Sequence, residues 1–200
     1  STSAEMRVCE SEGGDGCDTH GSETVGYLVV DADQAANVDG IEAGTFEAGG
    51  TFKTEPHAIS YSGTYSTTPV VLEAVQTVNG EYPIETRISS TSTTSFTGGI
   101  CHQNSLDGCD SGHGTETVGW VAIEPSNEPF LQQAEAGQTG DVVSSSTWTN
   151  QTFDSSFSTN PVVIVSNDTE DGGQDVQIDE ARNITTAGVD VRYCEMQSGD

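Results

Sequence analysis

Two histidines of this sequence each stand three positions before a glutamate, a spacing that could bring an imidazole and a carboxylate together. His20 precedes Glu23, and His113 precedes Glu116. A histidine beside a carboxylate carries the groups needed for general acid–base catalysis or for part of a metal site. A histidine that donates to a neighbouring carboxylate at the start of a strand explains the same spacing. We favour this structural interpretation, because a repeated pair need not be catalytic.

Other catalytic signatures are absent from the sequence. It contains no Gly-x-Ser-x-Gly elbow, no phosphate-binding loop and no dinucleotide-binding fingerprint. His57 and His102 do not stand at equivalent places, so no histidine cluster with metal-ligand spacing emerges. The sequence therefore predicts a protein that is not an enzyme.

Oxygen-rich loops make calcium the most suitable metal, because hard cations prefer carboxylate and carbonyl oxygens. The acidic residues of these loops are the candidate ligands: Asp15, Asp18, Asp107, Asp110, Asp168, Asp171 and Asp175. None of the loops has the spacing of an EF-hand, and so acidic a chain scatters such loops over its surface. We expect no obligatory cofactor, with bound calcium as the alternative.

The two histidine motifs belong to a repeat that organises the whole chain. Cys-x7-Cys followed by His-Gly-[Ser/Thr]-Glu-Thr-Val-Gly-[Tyr/Trp] begins at Cys9 and again at Cys101, and a third copy begins at Cys194. A second motif, aromatic-x3-aromatic-x3-Pro-Val-Val, begins at Tyr61 and at Phe153. Two motifs that share a period of about 93 residues predict a tandem array of one small unit.

The cysteine spacing predicts two local disulfides, Cys9–Cys17 and Cys101–Cys109. No Cys-x-x-Cys is present, so a zinc site or a redox pair is the weaker interpretation. Cys194 is left over. We expect its partner near position 202 of a longer gene product; otherwise Cys194 pairs between chains or stays free.

The charge balance is strongly acidic, with 5 Lys and Arg against 32 Asp and Glu and a formal charge of −27. In molar salt the Debye length falls to roughly 3 Å, so self-repulsion is screened while hydrated carboxylates keep the protein soluble. This balance is typical of proteins from extreme halophiles, and specifically from haloarchaea. No basic patch is available to neutralise phosphates, so a nucleic-acid partner is not expected.

Three N-glycosylation sequons begin at Asn150, Asn167 and Asn183. Together with the predicted disulfides and the salt-adapted surface, they indicate an extracellular or cell-surface location, with a virion surface as the alternative. The sequence shows no signal peptide and no apolar run long enough to cross a bilayer. We therefore expect no membrane insertion, and we expect Ser1 to begin a mature or excised segment.

The strand signals predict an all-β fold. Short runs of β-branched and aromatic residues alternate with Gly, Asn, Asp and Ser clusters, and a sustained helical period is hard to find. The predicted strands cover residues 6–9, 24–30, 58–61, 70–75, 84–88, 96–100, 118–123, 146–149, 162–165, 176–178 and 189–193. We expect two tandem antiparallel β-sandwich domains of about 93 residues each. The first, with an N-terminal hairpin, takes residues 1–110, and the second takes residues 111–200.

Three of these features together resemble a repeat of large prokaryotic extracellular surface proteins. They are the aromatic-x3-aromatic-x3-Pro-Val-Val segment, the following strand with Arg87 or Arg182, and the His-x-x-Glu-Thr-Val-Gly strand. That repeat is similar to the H-type lectin domain, an Ig-like antiparallel β-sandwich of extracellular agglutinins. The resemblance covers nearly the whole chain and implies the fold. Family members carry acidic residues where this chain has its Cys-x7-Cys loop, so no sugar-binding residue is carried over.

The resemblance also implies how the units connect. In the related repeats the Glu-Thr-Val-Gly strand closes a domain, so the last unit here would lack its closing strand while the N-terminus carries a surplus one. An open sheet edge is a template for another chain. We therefore expect a structural subunit that polymerises head-to-tail, by strand exchange, into a surface filament or appendage. The alternative is a lectin-like adhesin or viral fibre module that binds cell-surface glycans, with Trp148 as an exposed contact.

Overall fold

The computed structural model describes residues 28–29, 40–50, 52, 55–77, 79, 84–102, 113–125, 135–137, 148–154, 156–166 and 177–195. Within these ranges the protein is all-β, with antiparallel strand pairs and no helix. The strands are β1 (Ile41–Gly50), β2 (His57–Ser60), β3 (Val70–Val75), β4 (Ile84–Thr91), β5 (Ser95–His102), β6 (His113–Ile123), β7 (Thr149–Thr152), β8 (Gln177–Arg182) and β9 (Gly188–Glu195). The predicted all-β fold with antiparallel sheets is confirmed for this part of the chain.

The first sheet has the strand order β1-β6-β3, so β6 is its central strand. Buried residues alternate along β6, with Glu116, Val118, Trp120 and Ala122 facing inward. Because side chains in a strand point alternately to opposite faces, this period of two sets one face of β6 against the core. β6 pairs with β3 such that Ala122 lies opposite Val71, and both side chains are fully buried.

The second sheet has the order β2-β5-β4 and packs against the first. One hydrophobic cluster joins the two: Tyr61, Tyr65, Val71, Ile88, Phe96, Trp120 and Ala122. Tyr61 and Tyr65 come from the loop between β2 and β3, and their rings meet edge to face with centroids 5.0 Å apart. The aromatic residues Tyr61 and Tyr65 therefore lie in the core. The described strands β1–β6 form two packed three-stranded sheets, which we call the first sandwich.

The third sheet, β7-β9-β8, repeats the second sheet strand for strand. His57 lies opposite Gly98 in the second sheet, and Thr149 lies opposite Val191 at the equivalent place in the third. The aromatic pair is repeated as well, because the rings of Phe153 and Phe157 meet edge to face at 5.3 Å. The sequence repeat is thus a structural repeat over this sheet.

The first sheet, β1-β6-β3, has no counterpart among the residues described after Glu124. Pro161–Val165, which matches the start of β3, is predicted as a strand but is not hydrogen-bonded as one. A strand needs a neighbour for its backbone groups, and no described strand lies beside this segment. The prediction of a strand at residues 162–165 is wrong for the single chain.

The position of β6 bears on the division into units. The predicted boundary at residue 110 lies ahead of β6, whereas the hydrogen bonds place β6 with β1 and β3 of the preceding strands. The N-terminal hairpin that was expected within residues 1–27 lies outside the described residues. β6 is therefore hydrogen-bonded to strands of the first sandwich, and the division of the chain into two domains stays a prediction.

Candidate functional site

The histidine–glutamate pair of the second motif lies at the start of β6. Glu116 is fully buried, and its carboxylate accepts hydrogen bonds of 2.6 Å from the Thr77 hydroxyl and of 2.6 Å from the Asn79 backbone N–H. His113 Nδ1 lies 3.6 Å from Glu116 Oε1. The carboxylate is thus used to fasten the segment after β3 to β6. His20 and Glu23, the equivalent pair, lie outside the described residues.

The candidate calcium ligands cannot be placed, because Asp15, Asp18, Asp107, Asp110, Asp168, Asp171 and Asp175 all lie outside the described residues. Within the ranges that the structure covers, no three His, Cys, Asp or Glu side chains are grouped as a metal site. Calcium therefore stays a sequence-based alternative.

One of the predicted disulfide cysteines is described in full. Cys101, at the end of β5, is fully buried, packs against Phe52 and is disulfide-bonded. Cys9, Cys17 and Cys109 lie outside the described residues, so the pairing Cys101–Cys109 stays a prediction. The backbone of Cys194 lies in β9 opposite Ile178, at the place that Cys101 has in β5.

Two of the three sequon asparagines converge on one carboxylate. The Asn150 side-chain amide donates to Asp190 Oδ1 at 3.0 Å, and the Asn183 amide donates to Asp190 Oδ2 at 2.7 Å. These hydrogen bonds lower the pKa of Asp190, with Asn150 the larger cause. Asn150 and Asn183 are both exposed, as a glycan acceptor must be. Asn167 lies outside the described residues.

Trp148 is half-buried, and two arginine side chains lie over its ring. The guanidinium carbon of Arg182 lies 3.9 Å from the ring centroid, and that of Arg192 lies 4.5 Å from it. Two cations over one indole form cation–π contacts worth about 0.5–1 kcal/mol each at a surface. The sequence did not single out Arg192, because its contact with Trp148 exists only once β7 and β9 are paired.

Among the described residues, the exposed large apolar side chains lie in two short segments. Val162 is 69% exposed and Ile164 is 42% exposed, although Val70, the counterpart of Val162 in β3, is only 9% exposed. Leu28 and Val29 are 49% and 81% exposed. A large aliphatic side chain that stays in water forgoes about 1.5–3 kcal/mol of stabilisation relative to full burial.

The carboxylate of Glu124, just beyond β6, holds the loop that leads into β3. Its Oε1 accepts hydrogen bonds from the backbone N–H groups of Ser66 at 2.8 Å and Thr67 at 3.0 Å, and from the Ser66 hydroxyl. These donors lower the pKa of Glu124, and the Ser66 hydroxyl contributes most. Ser158 and Thr159 occupy the equivalent places of the second aromatic motif, where both are exposed. The sequence did not identify this carboxylate, although an acidic residue follows both Glu-Thr-Val-Gly strands.

No helix in the described part of the chain has the length and apolar character needed to span a bilayer. No protein-family model, curated protein or solved structure matches this chain, so the resemblance to the H-type lectin repeat rests on the motifs alone.

Proposed function

We propose that this chain is a non-enzymatic structural subunit of an extracellular filament or surface appendage in an extreme halophile. The β-domains themselves form the filament, and the subunits assemble head-to-tail through open sheet edges. The observation that carries the proposal is the exposure of Val162, because its counterpart Val70 is buried in β3 beside β6. A segment with the sequence of a sheet strand and the exposure of a surface is suited to a partner.

Three features support the proposed extracellular location. Cys101 is disulfide-bonded, and disulfides persist in oxidising compartments outside the cytosol. The sequon residues Asn150 and Asn183 are accessible. The formal charge of −27 is compatible with solubility in molar salt.

The lectin-like alternative has less support. Its candidate platform, Trp148, is engaged by Arg182 and Arg192. The paired aromatic residues Tyr61 and Tyr65 are buried in the core and cannot stack on a sugar.

The test is the particle mass and shape of the native chain in molar salt, by light scattering and electron microscopy. Polymers that lengthen with protein concentration are expected. A monomer at all concentrations would contradict the structural function, and retention of that monomer on an immobilised glycan would favour the adhesin.

A further inference from the structure

Glu42 is a carboxylate buried at the end of the first sandwich where β1 begins and β6 ends. Only 4% of the residue is exposed, and its Oε1 accepts a hydrogen bond of 2.7 Å from the backbone N–H of Ser62. Its Oε2 is fully enclosed and accepts no hydrogen bond from the residues that the structure describes. Because an ionised carboxylate is costly to bury unless it is paired, this oxygen is the natural place for a positively charged ligand.

A second carboxylate, that of Glu124, faces the same end of the core. Glu42 lies opposite Ala122 in the ladder of β1 and β6, and the N–H of Glu124 donates to the Gly40 carbonyl at 2.8 Å. Residues two positions apart in a strand share a face, so Glu42 and Glu124 both lie on the core side of the first sheet. The Cα atoms of such diagonal neighbours are about 7–8 Å apart, which is within reach of two long side chains.

The loop between β2 and β3 covers both carboxylates and places a hydroxyl between them. Backbone N–H groups of this loop donate to the Oε1 atom of each carboxylate. Tyr65, in the middle of the loop, is 2% exposed and donates its hydroxyl to the Ala122 carbonyl at 3.2 Å. Burial raises the pKa of the Tyr65 hydroxyl most, and the charges of Glu42 and Glu124 raise it further. The two carboxylates therefore act on one phenol oxygen.

The second unit repeats the contact between glutamate and loop without an enclosed oxygen. Glu135 stands in the same Glu-Ala-Gly sequence as Glu42 and accepts from the backbone N–H of Asp154, at the equivalent place of its own loop. Both oxygens of Glu135 share this donor, at 3.0 and 2.9 Å. Phe157 stands where the first sandwich has Tyr65, so the hydroxyl is missing there. Holding the loop therefore does not by itself require the arrangement around Glu42 Oε2.

We propose that Glu42, Glu124 and the Tyr65 hydroxyl bind a hard metal cation at this end of the first sandwich. Each carboxylate offers its Oε2, since the N–H groups of the loop occupy Oε1, and the phenol oxygen adds a lone pair. Calcium or sodium suits this set, because hard cations prefer oxygen ligands. Calcium takes about 6–8 oxygens, so water fills the positions that the protein leaves open.

Such a site gives the folded chain a specific dependence on salt. A cation that binds only the folded chain stabilises it by mass action, so each tenfold rise in free cation above the Kd multiplies the folding equilibrium constant about tenfold. This effect adds to the general screening of the formal charge of −27. The site lies within one sandwich, so the proposal does not depend on assembly.

The experiment compares thermal unfolding of the whole chain in sodium chloride and in choline chloride of equal molar concentration, each with calcium added or chelated. Choline screens surface charge but is too bulky to lie between two carboxylates. We expect calcium, or sodium relative to choline, to raise the unfolding midpoint of the wild type, and Glu42→Gln to lose most of this rise. Glu47→Gln is the matched control, because it removes an equal charge from an exposed glutamate of the same strand, and we expect it to keep the rise.

The four conditions also identify the ion. A rise with calcium in both salts identifies calcium, and a rise with sodium that calcium does not change identifies sodium. Equal midpoints of the wild type in all four conditions would overturn the proposal, and so would a rise that Glu42→Gln retains in full. Each comparison is made between conditions for one variant, so a loss of stability common to all conditions does not affect it.

Terbium luminescence supplies a readout that does not depend on unfolding. Terbium is a hard cation that takes calcium sites and emits when a nearby aromatic ring is excited, and Tyr65 and Trp120 belong to the adjoining core cluster. We expect sensitised emission from the wild type and from Glu47→Gln, and a loss of most of it in Glu124→Gln, which leaves the buried carboxylate in place. Equal emission from Glu124→Gln and Glu47→Gln would show that terbium binds elsewhere and would contradict the proposal.

Discussion

Ser66 donates two hydrogen bonds to Glu124, one from its backbone N–H and one from its hydroxyl. The contact joins the loop before β3 to the residue that follows β6, across 58 positions of sequence. It therefore fastens two neighbouring strands of the first sheet at the end where the aromatic motif enters.

Glu124→Gln is expected to weaken this fastening by about 1 kcal/mol at neutral pH, because an amide oxygen accepts hydrogen bonds less strongly than a carboxylate. The folded-state pKa of Glu124 is lower than the unfolded one. Ionised Glu124 therefore stabilises the folded state fully at a pH above the unfolded-state pKa, and this stabilisation is lost as the pH falls through the folded-state pKa. Thermal unfolding in molar salt at neutral and acid pH measures both effects. Glu47→Gln is the control, because Glu47 accepts from the single Thr117 hydroxyl; an equal loss for the two variants would contradict the prediction.

The two aromatic motifs are expected to differ in their contribution to stability. Tyr65 is 2% exposed, whereas its counterpart Phe157 is only partly buried. Tyr65→Ala should cost about 3–5 kcal/mol of unfolding free energy, as for other buried aromatic side chains, and Phe157→Ala about half of that. Denaturant unfolding measures both. Tyr65→Phe, which removes only the hydroxyl bonded to the Ala122 carbonyl at 3.2 Å, should cost about 1 kcal/mol. A larger loss for Phe157→Ala than for Tyr65→Ala would be the contrary result.

Arg182→Gln is expected to open the Trp148 ring to solvent on the side that the guanidinium covers. The chain has 2 tryptophans, and Trp120 is 7% exposed, so acrylamide quenching reports mainly on Trp148. We expect the quenching constant to rise in Arg182→Gln and to rise further when Arg192→Gln is added, since both cations contact the ring. Arg87→Lys, at a site in the first sandwich, is the control. Unchanged quenching in the double variant would show that the arginines do not shield the indole.

The Asp190 carboxyl is expected to titrate below the usual range of aspartate, because two asparagine amides hydrogen-bond its charged form. Asn150→Ala and Asn183→Gly should each raise this pKa, with the larger rise for Asn150. Glycine is the choice at position 183 because the φ angle there is 51°, in the left-handed region. Carboxyl NMR titration in molar salt measures the pKa. Since Arg182 is the smallest of the causes, the low pKa should persist at high salt, and its disappearance there would contradict the hydrogen-bond explanation.

Reduction of the disulfide at Cys101 is expected to destabilise the first sandwich by about 2–4 kcal/mol. Peptide mapping under non-reducing conditions identifies the partner, and the sequence predicts Cys109. Cys101→Ala tests the same bond without reductant, and it also removes a buried side chain from its contact with Phe52. Equal stability of the oxidised and reduced chains would mean that the bond does not constrain this fold. A partner other than Cys109 would overturn the predicted pairing but not the stability effect.

Several elements were predictable because their signal is local. The strand at Val70–Val75 is a run of β-branched and aliphatic residues after a proline, and it was predicted with the bounds that the structure has. The inward face of β6 follows from strict alternation around Trp120. The longer strand β1 was missed, because Ile41–Gly50 is rich in Glu, Ala and Gly and carries little β-propensity. β1 forms a strand because β6 offers it a full ladder of hydrogen bonds.

The repeat and the all-β class can be inferred without coordinates, because the alternation of apolar side chains and their recurrence do not depend on distant partners. Whether such a segment becomes a strand depends on its neighbours in the fold. Val70 and Val162 open the same motif, yet Val70 is buried beside β6 and Val162 is exposed. The physical reason is that a strand is stabilised by a neighbour that satisfies its backbone groups and covers its apolar face. The same dependence brought Asn150 and Asn183 to one carboxylate, and Trp148 to two arginines, from places that the sequence keeps apart.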